Sequence, residues 1–71
     1  HSLPSYCQVL RRYDQLMEQG GFTAEGRLSR MKQWLSLART FASDLLPLFD
    51  RVKRCHAIDE ALAQLELSLA A

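Results

Sequence analysis

Apolar residues recur at intervals of three or four positions along most of the chain, which is the spacing of one face of an α-helix. No stretch alternates apolar and polar residues for long enough to predict a β-strand. Turn-forming residues divide the helical pattern into four segments, so the sequence predicts four helices. Because the connections are short, the predicted fold is all-α, a compact antiparallel four-helix bundle.

Polar and conformationally special residues mark where the first two helices begin and end. Ser2 and Pro4 open the first helix, because the first amides of a helix have no partner for proline to remove. The glycine pair 20–21 ends it, since glycine readily adopts the left-handed conformation that terminates helices. Thr23 is the expected N-cap of the second helix, which is predicted to run to about Ala42.

The third and fourth helices are predicted after residue 42. Ser43 is expected to cap the third helix, and Pro47 falls in or near its first turn, where the missing amide hydrogen costs little. The apolar faces of the four helices are expected to form the core. They comprise Leu3, Tyr6, Leu10, Tyr13 and Met17 in the first helix, widened by Val9 and Leu16; Leu28, Met31, Trp34, Leu35, Ala38, Phe41 and Ala42 in the second; Leu45, Leu48, Phe49 and Val52 in the third; and Ile58, Ala61, Leu62, Leu65 and Leu69 in the fourth.

The size and composition of the chain bound its class. A chain of 71 residues has room for one domain with a thin core. Its 48% hydrophobic and 24% charged residues are typical of a globular protein and exclude a disordered chain. The apolar runs are too short for a membrane span or a signal-peptide core, so we expect a soluble chain. Cys7 and Cys55 match no zinc or redox spacing and are expected to be free thiols in a reducing, cytoplasmic setting.

Positive charge is unevenly distributed, although the formal net charge is only +1. On an ideal helix, Lys32, Ser36 and Arg39 share one strip, which borders the apolar face that contains Trp34. A one-sided basic strip is typical of a surface that binds phosphate groups, whereas the alternative is an ordinary solvated helix face. The segment 26–42 has no acidic residue, and its basic residues are Arg27, Arg30, Lys32 and Arg39.

The other arginines divide into two groups. Arg11 can pair with Asp14 three residues later, which favours an ordinary surface role for Arg11. Arg51 and Arg54 remain available for binding, because adjacent residues such as Asp50 and Arg51 do not face each other on a helix.

The chain contains no recognisable enzyme or metal-binding motif. His56 precedes Asp59 and Glu60 at the start of the fourth helix, where carboxylates more often cap the helix than bind a metal ion. The glycine pair 20–21 does not follow a strand, so it does not match a phosphate-binding loop. Trp34 lies on the apolar stripe and is expected to be a core residue rather than a platform for stacking bases.

Two stretches of the chain, residues 30–39 and residues 48–54, together resemble the C-terminal helical domain of bacterial tRNA-dihydrouridine synthases, particularly the C subfamily. The specific part is Lys32-Gln33-Trp34-Leu35 within the first stretch. The resemblance extends from Glu18-Gln19-Gly20 to the helix around residues 58–62, so it covers essentially the whole chain.

The resemblance implies a longer parent enzyme, in which residues 1–71 form the helical domain and an N-terminal flavin barrel lies outside this chain. Such enzymes reduce the C5–C6 double bond of a D-loop uridine in tRNA, uridine 16 in the C subfamily, with FMN as cofactor and NADPH as reductant. Neither Cys7 nor Cys55 matches the family's catalytic motif, so this fragment is expected to hold no catalytic residue, cofactor or metal. Its expected role is to grip and orient tRNA in the cytoplasm, without DNA or membrane partners. The residues expected to contact RNA are Lys32, Arg39, Arg30, Arg27, Arg51 and Arg54.

A protein-interaction module without RNA binding is the alternative interpretation of the same helices. Leu37 and Leu46 lie off the main apolar stripes of their helices and would supply an exposed patch for a partner. In a dihydrouridine synthase, these two side chains would instead face the missing barrel.

Overall fold

The chain forms four α-helices within residues 2–70, the part that the computed structural model describes, apart from the side chain of Ala70. No β-strand occurs in this range, and the helices pack as a bundle, so the predicted all-α fold class is confirmed. The elements are α1 (Leu3–Gln19), α2 (Ala24–Ala38), a short 3-10 turn (Ser43–Leu45), α3 (Leu46–Val52) and α4 (Ile58–Ala70).

Side-chain caps begin the first two helices at the predicted residues. The Ser2 hydroxyl accepts a hydrogen bond of 3.4 Å from the amide of Ser5, and Pro4 lies in the first turn of α1. The Thr23 hydroxyl accepts a hydrogen bond of 3.0 Å from the amide of Gly26. Each cap satisfies one of the amides that a helix N-terminus leaves without an internal partner.

The turn between α1 and α2 depends on the glycine pair. Gly21 has a φ angle of 87°, the left-handed conformation that side chains other than glycine rarely adopt. The amide of Gly21 donates to the Glu18 carbonyl, and the amide of Phe22 donates to the Met17 carbonyl, both at 3.1 Å. This pair of hydrogen bonds closes α1 and confirms the predicted role of the glycines.

The predicted end of α2 and the predicted cap of α3 are both wrong. The last helical residue of α2 is Ala38, about four residues before the predicted end. The Thr40 hydroxyl donates a hydrogen bond of 2.7 Å to the Leu37 carbonyl, and such bonds from threonine compete with helix continuation. Ser43 lies inside the 3-10 turn, whose N-cap is Ala42 and has no side-chain hydrogen bond. The predicted place of Pro47, in the first turn of α3, is confirmed.

Contacts between α1 and α2 show that these helices are antiparallel. Asp14, late in α1, pairs with Arg27 near the beginning of α2. Tyr6, early in α1, packs against Trp34 near the end of α2, with the ring centroids 6.4 Å apart. These contacts cross-link the two helices in opposite order, as the short connection predicts.

The helix α4 also runs antiparallel to α1. Arg11 Nε lies 3.0 Å from Glu66 Oε1. One turn earlier in α1, the Cys7 side chain lies close to Ser68, which follows Glu66 in α4. The predicted pair between Arg11 and Asp14 is therefore wrong, because Arg11 pairs with the neighbouring helix instead.

The core gathers buried side chains from all four helices. Val9 is 54% exposed and Leu16 is 49% exposed, so the prediction that they widen the buried stripe of α1 is wrong. They lie about 120 to 140° around the helix from the centre of its buried face. Phe41, which follows the end of α2, is 92% exposed and is also wrongly predicted. The buried cluster comprises Cys7, Leu10, Leu28, Met31, Leu35, Leu45, Leu48, Val52, Cys55, Ile58, Ala61 and Leu65, with Leu3, Tyr6, Tyr13, Trp34, Ala38, Ala42, Phe49, Leu62 and Leu69 packed against it.

The dimensions and polar contacts are those of a well-packed small domain. The Cα radius of gyration is 11.1 Å, which matches the roughly 11 Å expected for a compact chain of this length. Every buried side-chain nitrogen and oxygen in the described part of the chain has a hydrogen-bond partner. Within residues 2–70, each helix is too short or too polar to traverse a lipid bilayer.

Candidate nucleic-acid interface

Two basic side chains, one at the end of α2 and one at the end of α3, lie against the ring of Phe49. The Arg39 guanidinium carbon lies 4.5 Å from the centre of this ring, and Lys53 Nζ lies 5.6 Å from it. Both distances allow attraction between the cation and the π electrons, worth about 0.5 to 1 kcal/mol at an exposed site. Because Phe49 packs against the core, its ring fixes both cations at a defined place on the surface.

One carboxylate, that of Asp50, lies among these cations. Lys53 Nζ lies 3.0 Å from Asp50 Oδ1 in an exposed ion pair. The hydrogen bond from Lys53 and its charge lower the pKa of Asp50 below the ordinary value, and the charges of Arg54 and Arg39 lower it further. Asp50 is therefore ionised among these cations, and it offsets part of their positive charge.

Lys32 connects α2 to the chain that follows α3. Its Nζ atom donates a hydrogen bond of 2.8 Å to the backbone carbonyl of Cys55, the residue after Arg54. The ammonium group has three N–H donors, so two remain for solvent or for a ligand. The four side chains that we call the basic cluster are those of Lys32, Arg39, Lys53 and Arg54.

Arg27 lies in a buried ion pair between α1 and α2 and stands apart from the basic cluster. Its Nε and Nη2 atoms donate to the two carboxylate oxygens of Asp14 at 2.9 and 2.7 Å. Its Nη1 atom lies 3.1 Å from Glu18 Oε2. The side chains of Arg27 and Asp14 are 12% and 5% exposed. The hydrogen bond to Asp14 raises the pKa of Arg27, so the arginine remains charged at every relevant pH.

Two more of the predicted contact residues are held by other parts of the fold. Arg51 Nε donates to Gln64 Oε1 and Arg51 Nη2 donates to Ser68 Oγ, both at 3.0 Å, which joins α3 to α4. The Arg30 guanidinium carbon lies 4.8 Å from the ring centre of Phe22, in the turn before α2. Of the predicted contact residues, Lys32 and Arg39 contact α3 or the chain directly after it, where Arg54 also lies. Arg27, Arg30 and Arg51 contact other parts of the fold.

Lys53 and Phe49 belong to this surface but are not among the residues predicted to contact RNA. Their spacing of four residues on one helix is the signal that would place them on the same side of α3. The approach of Arg39 from α2 is a tertiary contact, and no local spacing predicts it.

The cysteines and the residues around His56 have structural roles. Cys7 and Cys55 are buried and unpaired, as predicted. Burial raises the pKa of both thiols, so they are weak nucleophiles near neutral pH. Glu60 Oε2 accepts a hydrogen bond of 3.3 Å from the amide of His56, in agreement with the predicted capping role. No group of three or more potential metal ligands of the kinds His, Cys, Asp and Glu occurs in residues 2–70.

Comparisons with known protein families, with curated protein sequences and with solved structures found no match to this chain. By its fold and surface, the chain is a small all-α bundle with a basic cluster beside an aromatic ring. A surface of this kind attracts phosphate groups and other anions electrostatically.

Proposed function

We propose that this chain is the tRNA-binding helical domain of a bacterial tRNA-dihydrouridine synthase of the C subfamily. The observation that carries the proposal is the basic cluster, in which cations from α2 and α3 meet on one face. The sequence resemblance supports it, because both stretches that resemble the family, residues 30–39 and 48–54, contribute side chains to this face. The proposed role is to grip and orient tRNA.

The members of the basic cluster have different freedom to reach an RNA backbone. Lys53 and Arg54 are exposed at the end of α3 and can extend towards phosphate oxygens. Arg39 is already oriented by an aromatic ring, so it loses less side-chain entropy when two of its N–H groups bind one phosphate. Lys32 acts from a position anchored to the backbone. Contacts of this type recognise RNA by the positions of phosphates and 2′-hydroxyl groups rather than by base sequence.

The chemistry of the proposed parent enzyme belongs to the flavin barrel outside this chain. There, FMN is the cofactor and NADPH the reductant for reduction of uridine 16. The glycine pair 20–21 does not fit a flavin phosphate, because the amides of Gly20, Gly21 and Phe22 already donate to carbonyls of α1. The helical domain holds the body of the tRNA while the target base leaves its stack and enters a separate pocket. A cytoplasmic location belongs to the same proposal.

Titration of fluorescently labelled tRNA with the chain at several salt concentrations tests RNA binding. We expect log affinity to fall linearly with log salt concentration, with a slope of about −3 to −4 if all four cluster residues neutralise a phosphate. A DNA duplex with the same number of phosphates is the matched ligand, and it should bind more weakly because it lacks 2′-hydroxyl groups and the tRNA shape. Absence of tRNA binding at low salt, or an affinity independent of salt, would contradict the proposal.

The coding sequence upstream of His1 tests the parent enzyme separately. We expect it to encode an α/β barrel with the family's catalytic cysteine. An upstream sequence of another class would reject the assignment to the synthase family, whereas the tRNA titration would still decide whether the basic cluster binds RNA.

Exposed apolar side chains favour a second candidate function, the docking of another protein or domain. Leu37 is 70% exposed and Leu46 is 42% exposed, which confirms that they lie outside the core. An open depression of about 500 Å³ on the outer side of α1 is lined in part by Val9, Tyr13 and Leu16. Partner binding or self-association that is insensitive to salt would favour this second function, because apolar contacts release no condensed counterions.

A further inference from the structure

Phe41 presents its ring almost entirely to solvent. The side chain is 92% exposed, more than any other large hydrophobic residue in the described part of the chain. It lies in the turn after α2 and not on a helix face, because α2 ends at Ala38. An exposed phenylalanine contributes little to the stability of the core, and its ring is accessible to a binding partner.

Every other aromatic ring in the chain, all of them within the described residues, already has a packing role. One pair of rings packs between α1 and α2, two rings lie beneath cations, and one ring packs against the core. These are Tyr6 with Trp34, Phe22 beneath Arg30, Phe49 beneath Arg39 and Lys53, and Tyr13. Phe41 is the one aromatic residue of this set without a recorded ring, cation or core contact, and its ring is the most exposed.

The turn that carries Phe41 directly follows Arg39, a member of the basic cluster. Phe41 follows Arg39 by two residues, so the two Cα atoms are within about 7 Å of each other. The turn that carries the ring is held by a hydrogen bond of 3.0 Å from the Phe41 amide to the Ala38 carbonyl. It is also held by a hydrogen bond of 2.7 Å from the Thr40 hydroxyl to the Leu37 carbonyl. The short distance between Arg39 and the ordered turn that carries Phe41 allows one bound strand to contact both residues.

We propose that Phe41 stacks on an unpaired base of the bound RNA, an inference that rests on the proposed RNA-binding function. An aromatic ring can stack on any base, because every base has a π face, and stacking complements the phosphate contacts of a basic surface. The bound segment is accordingly a loop or single strand, since the bases of a continuous duplex are stacked on each other. Phosphate binding positions the strand and Phe41 holds one base out of its stack.

Substitution of Phe41 tests this stacking with tRNA as the first probe. Phe41→Ala should weaken tRNA binding about 5- to 140-fold, the factor that corresponds to about 1 to 3 kcal/mol for one stacked base. The salt slope should not change, because phenylalanine neutralises no phosphate. Phe41→Trp should keep the affinity. The matched control is Leu37→Ala, which removes another exposed apolar side chain at the same end of α2 and should change affinity less than twofold.

Two further probes identify what the ring contacts. A stem-loop RNA with 2-aminopurine in its loop should change fluorescence when the wild-type chain binds, and this change should be absent with Phe41→Ala. A fully paired RNA duplex should bind both proteins equally. Thermal melts should agree for all variants, because Phe41 and Leu37 are exposed.

The outcomes separate the inference from the function on which it rests. If wild-type chain binds tRNA and Phe41→Ala binds equally well, stacking is rejected and RNA binding stands. Equal losses from Leu37→Ala and Phe41→Ala, without retention by Phe41→Trp, would indicate an apolar docking face and also reject stacking. Failure of the wild-type chain to bind tRNA would reject both.

Discussion

Replacement of Asp14 by alanine is expected to destabilise the fold strongly. The substitution removes the carboxylate that accepts hydrogen bonds of 2.9 and 2.7 Å from Arg27. The Arg27 side chain is only 12% exposed, so its charge would be left with little access to water. Its remaining partner, Glu18, has a side chain that is 67% exposed. An ion pair with such an exposed member contributes at most about 1 kcal/mol.

The magnitude follows from these two contacts. Removal of one partner from a buried ion pair costs about 3 to 5 kcal/mol, and the Glu18 contact offsets up to about 1 kcal/mol of this cost. The net loss is therefore about 2 to 5 kcal/mol. A chain of 71 residues has a free energy of unfolding of roughly 4 to 11 kcal/mol. Each 1 kcal/mol shifts the Tm of so small a domain by about 4 to 8 °C, so we expect a decrease of about 10 to 40 °C.

Thermal and urea unfolding followed by circular dichroism measure this effect. Glu18→Ala is the matched control, because it removes the exposed carboxylate from the same arginine and should cost less than about 1 kcal/mol. The double variant Asp14→Leu, Arg27→Met should recover much of the loss, since it leaves no buried charge unpaired. An Asp14→Ala variant as stable as Glu18→Ala would refute the reasoning.

Three further predictions concern the core, the first turn and the thiols. Trp34→Ala should lower the free energy of unfolding by about 2 to 3 kcal/mol, less than for a fully buried tryptophan, and an unchanged urea midpoint would contradict its packing on the core. Gly21→Ala should lower the free energy of unfolding by about 1 to 2 kcal/mol, because Gly21 has a φ of 87°. Gly20→Ala, at a φ of −79°, should lower it less in the same urea titration. Because burial raises the pKa of Cys7 and Cys55, the unfolded chain loses these protons first above about pH 8.5. Stability should thus fall as pH rises beyond this value, and the decline between about pH 8 and 10 should be flatter when both cysteines are alanine.

Helix starts and the first turn could be predicted because their signals are local. Thr23 caps α2 through a residue three positions later, and the glycines at 20–21 close α1 through carbonyls of its last turn. The end of α2 has no comparable signal, since the eight residues after Ala38 include neither glycine nor proline. The helical spacing continues through Phe41 in the sequence, while the Thr40 hydroxyl binds the Leu37 carbonyl in the structure.

The sequence could predict only those parts of the basic surface whose residues belong to the same helix. Lys32 lies on α2 and Arg39 is the C-cap of this helix, so helical periodicity places both on the same strip. The burial of Arg27 depends on Asp14, a partner 13 residues away in another helix. The addition of Lys53 depends on the packing of α3 beside α2. Such contacts between helices have no signature in the spacing of residues, which is why the predicted set of contact residues separates into different places in the fold.

A comparison of two double variants tests the role of the basic cluster most directly. Lys53→Gln with Arg54→Gln removes two charges from the cluster, and Arg11→Gln with Arg12→Gln removes two charges from α1. Each double variant breaks one exposed ion pair, so the two proteins are matched in net charge and in expected stability. We expect the cluster variant to bind tRNA more weakly than wild type, with a salt slope shallower by about 1.4 to 1.8, and the α1 variant to retain the wild-type slope. Equal slopes and affinities for the two variants would contradict the assignment of tRNA binding to the basic cluster.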